Sequence, residues 1–527
     1  MLSHIPRAGG VSRRRFLGTL GAAATTAAVG AAPAAVRAAP APAPAGPASG
    51  FGRLFPLQPF AAPGDAVVAA LQEMGKPGGL MDARDPLARG AKALVADPAL
   101  SVNNPDNPTH TAGTTFMGQF LDHDITFDAT TQLGKPATPE SVPNARSPRF
   151  DLDTVYGAGP VASGHLYDAN DPIKLRIESG GLFEDVPRRE DGGAILGDPR
   201  NDANLMVAGL QAAFILFHNR TVDWVRAEGT LHADADVFAA ARRLTTWHYQ
   251  WLIVHEFLPL FIGQPLVDDI MAKGPRFFAP AKGQAYIPIE FSGAAYRFGH
   301  SMVRPSYRAN LAGDNGQPFF PLLFDPTQDG KADPDDLRGG ARAPRRFIGW
   351  QTFFDFGDGE VKRNKRIDTK LSTPLFTLPL NAIATHDAPT SLAQRNLLRH
   401  LTYGLPSGQT IARKMDVDAL SAADLDELAG FGVGFEQNTP LWHYILKEAE
   451  VMADGLHLGP VGGRIVGEVF LGLLRADPDS YLAMLPTWRP TLPTRAGAGG
   501  QLGNPHADFR MIDLLTFAGV DPDARGQ

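Results

Sequence analysis

Apolar residues recur at helical spacing along much of the chain. Residues 204–226, NLMVAGLQAAFILFHNRTVDWVR, read as a long apolar helix with a polar end. Residues 237–257 form a second run, rich in aromatic and aliphatic side chains, which Pro259 is expected to close. Residues 392–400 and 439–453 carry amphipathic patterns. Strictly alternating or continuous strand patterns are scarce, so little β structure is expected. Most of the 45 prolines and 56 glycines fall between the helical stretches, which predicts long, ordered loops. No second linker and no internal repeat interrupts residues 51–527. The expectation is one large, mainly α-helical domain there, larger than single cores usually grow.

The first fifty residues follow other rules. Ser12-Arg-Arg-Arg-Phe16-Leu17 precedes a run of Ala, Gly and Thr and then a small-residue stretch ending at Ala39. A basic start, a weakly apolar middle and a small-residue end make a signal peptide, and the paired arginines resemble a twin-arginine export signal. The middle is too short and too rich in Ala and Gly for a membrane anchor. Residues 1–38 are therefore expected to direct export, to the periplasm or outside the cell, with no transmembrane span left in the mature chain. Residues 39–50, APAPAPAGPASG, read as a Pro/Ala linker.

Composition narrows the chemistry. Of 527 residues, 44% are hydrophobic and 20% charged, as in ordinary globular proteins. The net charge is −7, and no long basic run lies beyond the leader, so no nucleic-acid partner is expected. Cysteine is absent. That excludes disulfides, Cys-ligated zinc, Fe–S clusters, thiolate-ligated haem and cysteine nucleophiles. Any metal must sit on His, carboxylate, carbonyl or hydroxyl groups.

Residues 118–128, GQFLDHDITFD, set Asp122, His123 and Asp124 in an apolar run. Burying such groups costs several kcal/mol each unless they are paired, ligated or protonated, at roughly the scale set by ion desolvation. If residues 117–124 are helical, Gln119 and His123 share a face and the two aspartates flank it. A second acidic stretch holds Ser147, Arg149, Asp151 and Asp153 at spacing two. In an extended loop their oxygens point to one side, which suits a hard cation such as Ca²⁺; a solvated acidic turn is the alternative. The spacing is not that of an EF-hand.

Two further stretches carry candidate chemistry. Asp198-Pro-Arg200-Asn201 lies just ahead of the long helix, where an arginine can serve as a fixed cation. Tyr296-Arg297-Phe298-Gly299-His300 offers an iron-binding imidazole, with Gly299 permitting close approach of a flat ligand. His248, His255 and Glu256 resemble a metal set but lack a third ligand of matching placement, and read as core residues. Residues 355–360, DFGDGE, read as a glycine-assisted turn.

Taken together and in this order, these motifs make the sequence similar to the animal-type haem peroxidases of the peroxidase–cyclooxygenase superfamily, as a bacterial member. The resemblance runs from about residue 100 to 490 and includes Phe217-His-Asn-Arg220, residues 258–263, Ile367-Asp-Thr-Lys-Leu-Ser-Thr-Pro374 and Gly404-Leu-Pro406. It implies a haem b cofactor and these roles. His123 is the distal histidine, Gln119 its neighbouring glutamine and Arg200 the distal arginine. His300 is the proximal iron ligand, and Asn396 accepts the hydrogen bond of its imidazole. Asp124, Ser147, Arg149 (through its carbonyl), Asp151 and Asp153 form a calcium site. Asp122 matches the aspartate that can esterify a haem methyl.

The activity so implied is reduction of hydrogen peroxide with oxidation of a small donor, in a response to oxidative stress. Ala203 stands where mammalian members form a second ester, and Asn204 where a sulfonium-forming methionine can stand. At most one covalent haem link, through Asp122, is therefore expected. Chloride oxidation is doubtful; iodide, bromide, phenols and other organic donors stay open. A fatty-acid dioxygenase of the same superfamily is the nearest alternative. Those enzymes carry a radical-forming tyrosine three residues before the proximal histidine, where this chain has Arg297, a residue of the peroxidase branch assigned to cofactor binding. An inactive peroxidase-fold adhesion or interaction protein is the other alternative, and the intact set of His123, Arg200, His300 and Asn396 argues against it.

Overall fold

The computed structural model describes residues 50–179, 183–342, 344–383, 385–495 and 509–525. The expected leader, and the linker up to residue 49, lie outside the described residues. Ten helices of eight or more residues carry the described chain. They are α1 (Asp65–Met74), α2 (Ala112–Ile125), α3 (Leu205–Ala227), α4 (Asp234–Leu252), α5 (Gln264–Lys273), α6 (Leu392–Tyr403), α7 (Gly408–Met415), α8 (Leu441–Ala453), α9 (Pro460–Ala476) and α10 (Met511–Ala518). Strand is confined to short two-stranded pairs among the described residues. The fold is thus mainly helical, as the scarcity of alternating patterns predicts.

The predicted helices form with small boundary shifts and one correction. Asn204 is the N-cap of α3, its side chain accepting from Val207 N at 3.0 Å. Pro259 does not close the helix before it. After α4 the chain makes a π-helical turn, Ile253–Phe257, and then an α-helical turn, Leu258–Ile262. The proline falls at the start of that last turn, where its missing N–H costs little. Gly263, at φ 78°, ends it instead.

Packing places α2 at the centre. Its Phe120 stacks on Phe214 of α3 at 4.8 Å, and Tyr249 of α4 meets both rings edge-on. The strand Asp106–Thr111 pairs antiparallel with Arg363–Lys365 and runs straight into α2. Ala112 N and Gly113 N then donate to the carbonyls of Lys362 and Phe353, both at 2.8 Å, which satisfies the first orphan donors of the helix. A Cβ on Gly113 would lie 2.5 Å from the Phe354 ring, so only glycine lets α2 enter this close. These contacts fix the rotation of α2, and with it the direction of Gln119 and His123.

Candidate active site

One cavity gathers most of the predicted residues. Gln119, Asp122, His123, Arg200, Arg297 and His300 all line it, together with Arg399, which sequence reasoning missed. Much of the remaining wall is apolar, including Phe116, Phe261, Phe298, Met302, Leu323 and Leu375.

Three side chains arrive from the long α2 helix. Burial first, and the Arg200 charge second, lower the His123 pKa to about 4, so its ring is neutral near pH 7. His123 Nδ1 lies 2.7 Å from Asn201 Oδ1. Gln119 Oε1 accepts from Asn204 Nδ2 at 3.0 Å. Asp122 Oδ1 accepts from Thr126 Oγ1 at 3.1 Å.

Arg200 sits in the short turn Pro199–Asp202, whose first N–H is capped by Asp198. Its guanidinium is held from several sides. Nη2 donates to the carbonyls of His123 and Thr126 at 3.0 and 2.6 Å, and Nε and Nη2 pair with Asp198. The Phe127 ring lies 4.3 Å beneath it. A cation at these last carbonyls also complements the C-terminal end of α2. Burial alone would raise the Asp198 carboxyl; Arg200 outweighs that and holds it below its ordinary range.

His300 comes from the short turn Ala295–His300. Burial first, then Arg297 and Arg399, lower its pKa to about 3, so it too is neutral. Asn396 of α6 meets the ring at 2.7 Å from His300 Nδ1, as expected, but with its amide nitrogen rather than its oxygen. The reason is Arg297, whose Nη1 donates to Asn396 Oδ1 at 3.4 Å from the other side. The hydrogen bond therefore runs from Asn396 to His300 in this orientation, opposite to the expected direction. A half-turn of the amide exchanges its two ends.

Arg297 and Arg399 give the cavity its charge. No carboxylate lies within ion-pair distance of either among the described residues, and Arg399 Nε has no hydrogen-bond partner. Burial first, and Arg399 second, lower the Arg297 pKa to about 9. Two guanidiniums without an ion-pair partner among the described residues, a neutral imidazole and apolar walls fit a flat, apolar, metal-centred ligand bearing carboxylates. Haem answers that description.

The acidic stretches also meet. Oxygens of Asp124, Asp151 and Asp153 all lie within 4.8 Å of one another. The loop does not converge by simple alternation. Leu152 takes a left-handed backbone at φ 58° and Asp153 opens a helical turn, so a kink aligns the carboxylates. Such a conformation costs a leucine roughly 1–2 kcal/mol. Burial first, then Asp153 and Asp151, drive the Asp124 carboxyl far up. Burial first, then Asp151, raise Asp153 to about 7. Ser147 Oγ donates to Asp151 at 3.0 Å. The Arg149 guanidinium pairs instead with Asp477 and Asp479, leaving only its backbone for this cluster. One buried and two half-buried carboxylates, with Asp151 raising the pKa of both Asp124 and Asp153, suit a hard divalent cation.

The tempting histidines are structural. His248 Nε2 accepts from Thr491 N and Leu492 N, both at 3.2 Å. His255 stacks on Trp251 at 3.6 Å, and Glu256 accepts from Met511 N at 2.7 Å. Residues 355–360 form a turn, with Gly357 and Gly359 at φ 83° and 81°. Asn201, Asn204, Gln211 and Arg399 went unpredicted. Gln211 alone had a signal: it is a lone amide within the apolar body of its helix, and a buried amide needs partners.

A model of the family described as animal haem peroxidase matches residues 128–322, which include Arg200 and His300. Peroxidase mlt-7 of Caenorhabditis elegans is 32% identical over 297 residues, covering 52% of this chain and 36% of that protein. Alpha-dioxygenase 1 of Arabidopsis thaliana is 35% identical over 104 residues, covering 20% of this chain and 16% of that protein. Among solved structures, Peroxidase A from Dictyostelium discoideum superposes with a TM-score of 0.53 at 16% identity. That match covers 82% of this chain and 88% of that one, a likeness of fold. The chain spans well under half the length of the curated relatives it matches. Among the described residues no helix is long and apolar enough to cross a membrane.

Proposed function

Because the chain belongs to the animal-type haem peroxidases of the peroxidase–cyclooxygenase superfamily, we propose that it is an exported enzyme that reduces hydrogen peroxide and oxidises a small donor such as iodide, bromide or a phenol. One observation carries this reading. A neutral His123, a fixed Arg200 and a neutral His300 line one cavity that also holds two arginines without an ion-pair partner among the described residues.

His300 Nε2 would bind the iron, Arg297 and Arg399 would pair with the propionates, and Asp122 would supply the single ester. Binding iron through Nε2 requires the proton on Nδ1, so Asn396 must present Oδ1 in the loaded protein. Haem supplies the iron at which peroxide is reduced and the two electrons that reduction takes, and the donor returns them. His123 Nε2 takes a proton from hydrogen peroxide and delivers it to the departing oxygen, which leaves as water. Arg200 stabilises the charge that develops as the O–O bond breaks. A Ca²⁺ ion on Asp124, Asp151, Asp153, Ser147 and the Arg149 carbonyl would hold His123 through the adjoining peptide bond.

The test is an absorption spectrum of haem-loaded protein before and after stoichiometric peroxide. A Soret band that shifts rapidly and returns on adding iodide or a phenol is expected. A spectrum unmoved by peroxide sinks the reading. The alternative, fatty-acid dioxygenation, draws on the likeness to Alpha-dioxygenase 1 and on a buried phenol, Tyr296, in the cavity wall. Its hydroxyl donates to Gly118 O at 3.1 Å. Oxygen uptake with a fatty acid, abolished in Tyr296→Phe, would favour that alternative.

A further inference from the structure

Resting on the peroxidase reading, we propose that Asn201 and Gln211 are positioning residues that hold His123 in the Nδ1–H tautomer, in a relay anchored on the loop of the acidic cluster. Both amides are fully buried, Asn201 at 0% and Gln211 at 1% exposure, so neither can turn to water for a partner. The orientation propagates from one end. Gln211 Nε2 donates to the backbone carbonyl of Thr154 at 3.4 Å, and a carbonyl can only accept. That turns Gln211 Oε1 toward Asn201, whose Nδ2 donates to it at 2.8 Å. Asn201 Oδ1 is then left facing His123 Nδ1 at 2.7 Å. An amide oxygen cannot donate, so Nδ1 must carry the proton. A neutral imidazole has one N–H, and Nε2 therefore keeps its lone pair. That is the nitrogen the proposed base needs. Reversing both amides would set Gln211 Oε1 against the Thr154 carbonyl, two acceptors with no proton between them.

The anchor ties two features together. Thr154 adjoins Asp153, and its Oγ1 reaches Asp124 Oδ1 at 3.5 Å. Asp124 is in turn the neighbour of His123. The loop is thus linked to His123 by two routes, through Asp124 and the peptide bond that follows His123, and through the two amides.

The test is ¹⁵N-histidine NMR on the full chain at neutral pH. Haem-bound samples are held in the diamagnetic ferrous carbonyl form, and the His123 signals are identified by their loss in His123→Gln. The expected spectrum has a protonated Nδ1 and a bare Nε2. Asn201→Leu should mix the tautomers and slow the reaction with peroxide about a hundredfold, with haem affinity unchanged. Asn201→Asp keeps the acceptor and should restore both. A wild-type His123 protonated at Nε2 overturns the inference without recourse to any variant, as does an Asn201→Leu protein with unaltered tautomer and rate. This readout does not depend on peroxide chemistry. Failure of the peroxidase reading shows in the absorption spectrum, and failure of the relay shows in the nitrogen shifts.

Discussion

His123 and Asp124 are consecutive residues of one helix, yet their side chains serve two centres. The imidazole lines the cavity, while the carboxylate lies with Asp151 and Asp153 on the other side. A single peptide bond therefore couples the carboxylate cluster to the cavity imidazole. Placement of the base should depend on how the carboxylate charge is balanced.

Chelation should expose that coupling. In the metal-free protein, burial and neighbouring carboxylates raise Asp124 and Asp153, the latter to about 7. The folded state then binds more protons than the unfolded one between about pH 4 and 7. Their contribution to stability is complete below the unfolded pKa and is lost as pH rises through the folded one. Thermal unfolding with chelator should accordingly show stability falling from pH 4 to 7. Ca²⁺ should reverse the trend at neutral pH, adding about 2.7 kcal/mol at a hundredfold excess over its Kd. A melting temperature indifferent to chelator at pH 7 would remove the cation site.

His123→Ala should retain haem but react with peroxide about a hundredfold to ten-thousandfold more slowly in stopped flow. Since the wild-type His123 pKa is lowered to about 4, the wild-type rate should be level from about pH 5.5 to 8. It should fall only as the ring protonates near pH 4 and ceases to be a base. A fall centred near the ordinary histidine pKa would contradict the buried, neutral ring.

His300→Ala should keep the fold, read by circular dichroism, and lose stable haem binding. A normal Soret band in that variant would take the iron ligand elsewhere.

Arg399→Met should act in opposite directions on the two forms. Removing one of two half-buried neighbouring cations that lack an ion-pair partner should stabilise the haem-free protein, on the order of 1 kcal/mol. Haem affinity should fall, because a propionate loses its partner. Parallel melts of the free and loaded protein, with haem titration, check both signs. Loss of stability in both forms would assign Arg399 a purely structural role.

Asp122→Asn should release haem into acidified acetone while the wild type retains it. Extraction from both would mean that no ester forms.

Much of this was legible from local pattern. Helical period gave the faces of residues 204–226 and 117–124, because side chains four apart on a helix must share a side. The i,i+4 pair Gln119 and His123, and the acids flanking it, follow from that alone. The lack of cysteine limited any metal to His and oxygen ligands. What local pattern cannot carry is contact between distant segments. Asn201 reaches His123 across 78 residues, and Asn396 reaches His300 across 96. Pro259 reads as a helix stop until a π-helical turn upstream shifts it to the start of a further turn. Ser147, Asp151 and Asp153 looked like an extended ladder, yet a left-handed Leu152 brings them together. The direction of the Asn396 amide depends on Arg297, a residue on another element. Residue types and spacing thus named the chemical groups this protein owns. Only the tertiary structure brought Asn201 to His123 and Asn396 to His300, because contact between distant segments is set by packing and not by local pattern.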